Sequence, residues 1–164
     1  MTMKRSSMND EAIDGGVIHN YHNVNAPRKI ESTELIKFHC VFSLLDLAEP
    51  SFLGNRVYRL DAELENQTVK GCLDWYCNGD GEKTSFEADL SFMNKLQAIV
   101  AKYNLAQYNG YNYTVNGLPD MYGAKLDIQY KSGEYIYAHN NEDCFLPMEM
   151  MEESVKLFIE FCEK

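Results

Sequence analysis

The stretch AKLDIQYKSGEYIYAHNNEDCFLPMEMMEESVKLFIEFCEK, Ala124 to Lys164, decides how this chain folds. Leu126, Ile128 and Tyr130 alternate with Lys125, Asp127 and Gln129, the period-two signature of a strand with one wet face. Lys131-Ser132-Gly133 interrupts the alternation and Glu134 to His139 resumes it. Gly133 reaches positive φ at little cost, so the expected connection is a three-residue loop, a type I turn closed by a glycine bulge. That loop sets Tyr130 opposite Glu134 and puts Ile136 and Ala138 on the face of Leu126 and Ile128. A two-residue loop would bring Tyr135 and Tyr137 there instead. The first register keeps Lys125, Asp127 and His139 together on the wetter side.

Pro147 stands where the first helical turn starts, because its missing N–H costs little there. Glu149, Glu152 and Glu153 then place negative charge near the positive end of the helix dipole. Met151, Val155, Phe158 and Cys162 form one stripe, and Leu157 and Phe161 widen it into a broad apolar face. Glu152 with Lys156, and Glu160 with Lys164, stand four apart on the outside.

A looser copy of this plan spans Tyr58 to Tyr103. Tyr58, Leu60, Ala62 and Leu64 alternate with Arg59, Asp61 and Glu63. Glu65-Asn66-Gln67 turns the chain and Val69 to Cys77 returns it, with Leu73 and Trp75 on one side. Asn78-Gly79-Asp80-Gly81 reads as the turn ending that strand, since it lacks the spaced oxygen ligands and closing Glu of a calcium loop. Asp89 is a suitable N-cap for a helix from Leu90 to Tyr103, and Asn104 suits a left-handed residue at its end. Phe92, Leu96, Ile99, Val100 and Tyr103 share one face of it.

A further strand, Glu34 to Leu45, precedes both units, with Ile36, Phe38, Cys40 and Phe42 facing one way and Lys37, His39 and Ser43 the other. Ala48 to Gly54 is a loop by its Pro and Gly. The expected fold is α+β: a two-layer domain with a largely antiparallel five-stranded sheet and both helices on one face. The order is β-β-β-α-β-β-α, built from two hairpin-helix units. Residues 31–164 form this one domain. Residues 1–30 lack periodicity and read as a poorly ordered arm, with an extended segment over Val17 to Val24.

The chain has 164 residues, 45% of them hydrophobic, a net charge of −10 and a sequence pI near 4.8. That length buries roughly two-thirds of the unfolded surface. Acidity without a basic cluster argues against nucleic-acid phosphates and against an anionic membrane surface. Five cysteines cannot pair completely, and the opening run shows no apolar signal core, so reduced thiols in a cytoplasm are expected.

Four constellations bear on function. Cys72, Cys77, Cys144 and Cys162 lack a Cys-x-x-Cys pair, and Cys72 and Cys77 point to opposite faces of one strand, so buried structural thiols are expected rather than a metal site. His19 and His22 lie in the arm and make a poor chelate. His39, His139 and Asp127 could place an imidazole near a carboxylate for general-base work, and Asp61 with Asp74 could pair, yet no activated serine or phosphate loop accompanies them. The Tyr/Asn/Gly stretch offers Tyr108, Tyr111, Tyr113, Asp120 and Tyr122, a mixture suited to recognition or to packing over a sheet edge. Tyr76, Tyr135, Tyr137 and His139 share the wet sheet face, where an aromatic patch would serve a partner or a homodimer.

The chain resembles a family of small uncharacterised bacterial α+β proteins over residues 31–164. The likeness rests on Lys102-Tyr103-Asn104-Leu105, on Tyr108-Asn109-Gly110-Tyr111, on the strand pair Leu126 to Ala138 with its Ser132-Gly133 turn, and on the helix at Pro147. Tyr108 stands where such relatives often carry Trp. The resemblance implies the fold and no reaction or cofactor. The expected function is therefore a non-enzymatic protein- or peptide-binding module using the Tyr-rich loop and the open sheet face. The alternatives are a small-ligand or enzymatic pocket around His39 and His139, or an acidic inhibitor of the immunity type.

Overall fold

The computed structural model describes residues 11–13, 16–20, 22–44, 52–116 and 123–164. Its strands are β1 (Glu11–Ile13), β2 (Gly16–Asn20), β3 (Leu35–Ser43), β4 (Val57–Glu65), β5 (Thr68–Cys77), β6 (Asp80–Ala88), β7 (Asn112–Val115), β8 (Ala124–Tyr130) and β9 (Tyr135–Asn140). Helices α1 (Leu90–Lys102) and α2 (Met148–Cys162) complete it. The strands form a single sheet in the order β1-β2-β7-β9-β8-β3-β4-β5-β6. β3 lies inside the sheet, and the hairpins β4–β5 and β8–β9 flank it on either side.

The class is α+β, as expected, but nine strands among the described residues replace five and the sheet is mixed. β7 runs parallel to β9, and every other pairing between these strands is antiparallel. β6 is hidden in the sequence by its composition. Asn78 and Gly79 both take positive φ, 49° and 83°, so the chain reverses in two residues and pairs again at once. The strand that follows lies at the sheet edge and is polar almost throughout, so it lacks the alternation that marks a half-buried strand. β7 is four residues long, too short for a periodic signal. Residues 16–20, inside the stretch read as an arm, form β2, which pairs with β7.

The expected β8–β9 register holds. Tyr130 N donates to Glu134 O at 3.0 Å, Gly133 takes φ 90°, and Ile128 faces Ile136. The Glu134 carboxylate accepts from Glu31 N, Ser32 N and Ser132 Oγ, which holds its pKa below the usual range and ties the chain entering β3 to this hairpin. Asp89 caps α1 by accepting from Ser91 N at 2.9 Å, and Asn104 follows its end at φ 47°. Pro147 is the residue just before α2 rather than in its first turn.

Both helices cover the same face of the sheet. Phe38 of β3, Phe86 of β6, Phe92 of α1 and Phe158 and Phe161 of α2 form one ring cluster with centroids 4.8 to 6.3 Å apart. Phe158 and Leu96 are fully buried. Phe86 reaches this cluster by lying across β5, and Gly71 opposite it makes room: a Cβ there would stand 2.2 Å from the ring. Tyr130 closes the layer on the far side, donating its hydroxyl to Gln97 Oε1 at 2.9 Å.

Gly71→Ala should therefore cost about 1–3 kcal/mol in urea unfolding. The cost should shrink when Phe86→Leu is added; a neutral Gly71→Ala would contradict the packing. Burial pushes the Tyr130 pKa up from 10.0 to about 12. A folded pKa above the unfolded one means that Tyr130's contribution is whole below pH 10 and lost as pH climbs toward 12. Tyr130→Phe should lose about 1 kcal/mol at neutral pH from the missing hydrogen bond, yet decline less steeply across that alkaline window.

Candidate functional site

Alternation along the strands sends one set of side chains away from the helices. On this open face, neighbouring strands align Cys72, Asp61, His39, Asp127 and Tyr137 in one row. The next row holds Lys83, Asp74, Arg59, Val41, Lys125 and His139, and the row on the other side holds Glu87, Lys70, Glu63, Lys37, Gln129 and Tyr135. The charges interleave. Lys37 Nζ lies 3.3 Å from Asp127 Oδ2, Lys70 pairs with Glu87, and His39 Nδ1 hydrogen-bonds to Asp61 Oδ1. Gln129 Nε2 donates to the other Asp127 oxygen at 3.3 Å.

A carboxylate on Nδ1 orients an imidazole as it would be oriented for general-base work. The expected partner was Asp127; the hydrogen bond instead goes to Asp61 on the opposite neighbour, although Asp127 is paired with His39 in the sheet. Among the described residues, no nucleophile hydrogen-bonds to that base. Cys72 sits beyond Asp61, two strands from His39. His139 is also two strands from His39 and in the adjoining row, roughly 12 Å between Cα atoms at ordinary strand spacing. The two histidines share a face but do not converge. Asp61 and Asp74 occupy different rows and form no pair.

The thiols are free among the described residues. Burial raises the pKa of Cys40 well above its ordinary value and also raises Cys144 and Cys162, which suits inert structural thiols. Cys72 and Cys77 do fall on opposite faces of β5. Among the described residues, no group of three or more His, Cys, Asp or Glu side chains is placed to hold a metal ion.

The Tyr/Asn/Gly stretch lies along the outer edge of β9. Asn109 is fully buried, and its amide stands in for a strand. Its Oδ1 accepts from Tyr137 N at 2.9 Å, and its Nδ2 donates to Tyr135 O and Pro27 O, each at 2.8 Å. Gly110 N donates to Tyr137 O, and the Tyr111 carbonyl accepts from His139 N, so the edge continues. Asn141 repeats the device on β7, where its amide both accepts from and donates to the Val115 backbone. Tyr108 and Tyr111 pack against Phe145, and Tyr111 also stacks on His22. Tyr113 is half-buried on β7, where burial and then the Glu142 carboxylate raise its hydroxyl pKa. Asp120 and Tyr122 lie outside the described residues, as do Leu45, Tyr21 and the loop from Ala48 to Ser51. Of the tyrosines singled out that are among the described residues, Tyr137 and Tyr76 are the exposed ones, at 36% and 42%. Lys125 Nζ stands 5.9 Å from the centroid of the Tyr137 ring.

On the other side of the molecule, α2 and its C-cap carry Glu149, Glu152, Glu153, Glu160 and Glu163. Lys102 and Tyr103 bind Glu153, and Lys95 and Lys164 approach Glu160, so that acidity is partly neutralised at source. Beside the end of α2, a cavity of about 410 Å³ opens between the helix and β4 to β6. Its lining includes Arg56, Trp75 and Glu82, which no sequence pattern marks because β6 itself is not legible there. No helix among the described residues is long and apolar enough to cross a membrane. No family model, curated protein or solved structure matches the chain.

Asn109→Ala should cost about 1–3 kcal/mol, because the Tyr137 N–H and the Tyr135 carbonyl lose their partner. Hydrogen exchange should quicken at the Tyr137 amide before it does in β3. Unchanged protection at Tyr137 would show that the amide does not close that edge.

Proposed function

We propose that this chain is a binding module that works without catalysis and holds a protein or peptide segment of mixed charge on the open face of its sheet. The observation that carries the reading is the near-balance of charge on that face within an acidic chain. Lys37, Arg59, Lys70, Lys83 and Lys125 stand among Asp61, Glu63, Glu65, Asp74, Glu87 and Asp127, one acid in excess, although the chain as a whole carries −10. A partner approaching there meets alternating charges and little net field, which favours register over bulk attraction. Tyr76 and Tyr137 add exposed aromatic area with few rotors to freeze. Tyr108 and Tyr111 support the face from its edge, since their rings are engaged with Phe145. The His39–Asp61 pair contributes a fixed donor–acceptor array to recognition.

A photo-crosslinking side chain placed at Tyr137 should give an adduct of defined mass in cells. The same group at Ala98, exposed on α1, should give none. Lys125→Glu together with Tyr76→Ala should suppress the adduct by about tenfold while the thermal midpoint stays within the range of surface substitutions. Equal labelling from both positions, or none from Tyr137, would remove the open face as the binding surface. An adduct with twice the chain's own mass would identify a second copy as the occupant.

A further inference from the structure

α2 stops at Cys162, short of the end of the β4–β6 layer, and the uncovered part of that layer becomes the floor of the 410 Å³ cavity. Tyr58, Leu73 and Trp75 make the floor, and Ile159 and Cys162 of α2 form one wall. Phe52, whose ring lies under Lys156 of α2, also lines the cavity. The rim is charged: Arg56 on one side, Glu82 and Glu163 on the other. This volume falls in the range of small-ligand sites, and an apolar floor with few polar rim groups is their usual construction.

Two features of the rim point to a ligand. The Arg56 guanidinium lies 3.8 Å from the centroid of the Trp75 ring, which holds the planar fork in place. The Tyr58 hydroxyl takes one of its hydrogen bonds, but no carboxylate among the described residues lies within ion-pair distance of it, so its charge and its remaining donors suit an anionic acceptor. Glu82 and Glu163 likewise have no cation within ion-pair distance among the described residues. They stand near the C-terminal end of α2, whose last turn contains no basic residue and whose terminal carbonyls add negative potential.

The spacing is set by one indole. Glu82 is the cross-strand partner of Trp75, and Arg56 stacks on the same ring. A receptor for a carboxylate and a receptor for an ammonium are thus a single residue apart, above an apolar floor. We infer that this cavity binds the zwitterion of an apolar or aromatic α-amino acid, with its carboxylate on Arg56, its ammonium between Glu82 and Glu163, and its side chain on Tyr58 and Leu73. An apolar acid would leave the two glutamates unanswered, and an apolar amine would leave Arg56 unanswered. The site lies on the helix side of the sheet, so it stands or falls independently of the open face.

Trp75 is the only tryptophan in the chain, so selective indole excitation reports on this cavity alone. The full chain would be titrated with L-phenylalanine, L-leucine and L-methionine, each silent under that excitation, and the same titrations followed by calorimetry. At least one should give a saturable response. L-phenylalaninamide and hydrocinnamate, which lack the anionic and cationic groups respectively, should bind about tenfold more weakly than L-phenylalanine, as should L-phenylalanine to Arg56→Gln. Glu82→Gln should weaken L-phenylalanine but leave hydrocinnamate unchanged, a distinction that general damage to the fold would not produce. Circular dichroism would confirm that both variants retain the native spectrum. Absence of saturation with all three amino acids by both methods would overturn the inference. So would equal binding of the amide and the free acid, or full affinity in Arg56→Gln.

Discussion

The Phe86–Phe92–Phe158–Phe161 ring cluster is the contact on which the rest of the structure depends. It joins the edge strand β6 to both helices and, through Phe38, to the inner strand β3. Edge-to-face geometry in most of these pairs adds about 0.5–1.5 kcal/mol each to the burial of the rings. Its condition is a missing side chain. Gly71 leaves the space that the Phe86 ring fills, so a residue without a Cβ in β5 decides where two helices can sit. Because the helices gather on that cluster, the opposite face of the sheet is left to solvent. The far end of the β4–β6 layer is left with a hollow.

The asparagines solve a different problem. A central part of the chain must run along the outer edge of β9 without forming a long ladder there. A carboxamide has the donor and acceptor of a peptide group, and Asn109 uses both on β9 while Asn141 uses both on β7. Asn140 accepts from Glu142 N and Asp143 N and turns the chain toward α2. Gly123 lets β8 begin against this turn, since a Cβ there would stand 1.7 Å from the Asn140 carbonyl oxygen. A composition typical of recognition loops is thereby used largely for backbone satisfaction, which is costly to leave incomplete in a buried segment.

Charge is distributed unevenly for a reason that follows from the layers. Strands β3 to β6 place basic and acidic residues opposite one another, where like charges would oppose pairing. The open face consequently comes close to balance, with six acids against five bases. The excess acid is carried elsewhere, in part on α2, where Glu149 in the first turn favours the helix dipole. Near-balance on one face and surplus acid on another leave the open face with the weaker field.

Sequence alone determined the α+β class, both helices with the Asp89 cap and the Asn104 stop, the β8–β9 register, and the inner and outer faces of β4, β5 and β8. These depend on short-range periodicity and turn chemistry, which act over a few residues and leave a pattern in the order of side chains. On β3 the sequence placed Phe38, Cys40 and Phe42 correctly, but a register shift between Leu35 and Lys37 turns Leu35 to the core in place of the expected Ile36. The tertiary structure decided what depends on distant neighbours. It made a polar run into β6 by giving Phe86 a glycine to lie on, and it drew Asn112–Val115 into the sheet by pairing it with β2 and β9. It matched His39 with Asp61 where Asp127 was equally placed by register, and it brought Arg56, Trp75 and Glu82 together from three separate segments. An edge strand needs no alternation and a cavity needs no motif, since both are made by what packs beside them and not by the residues' own spacing.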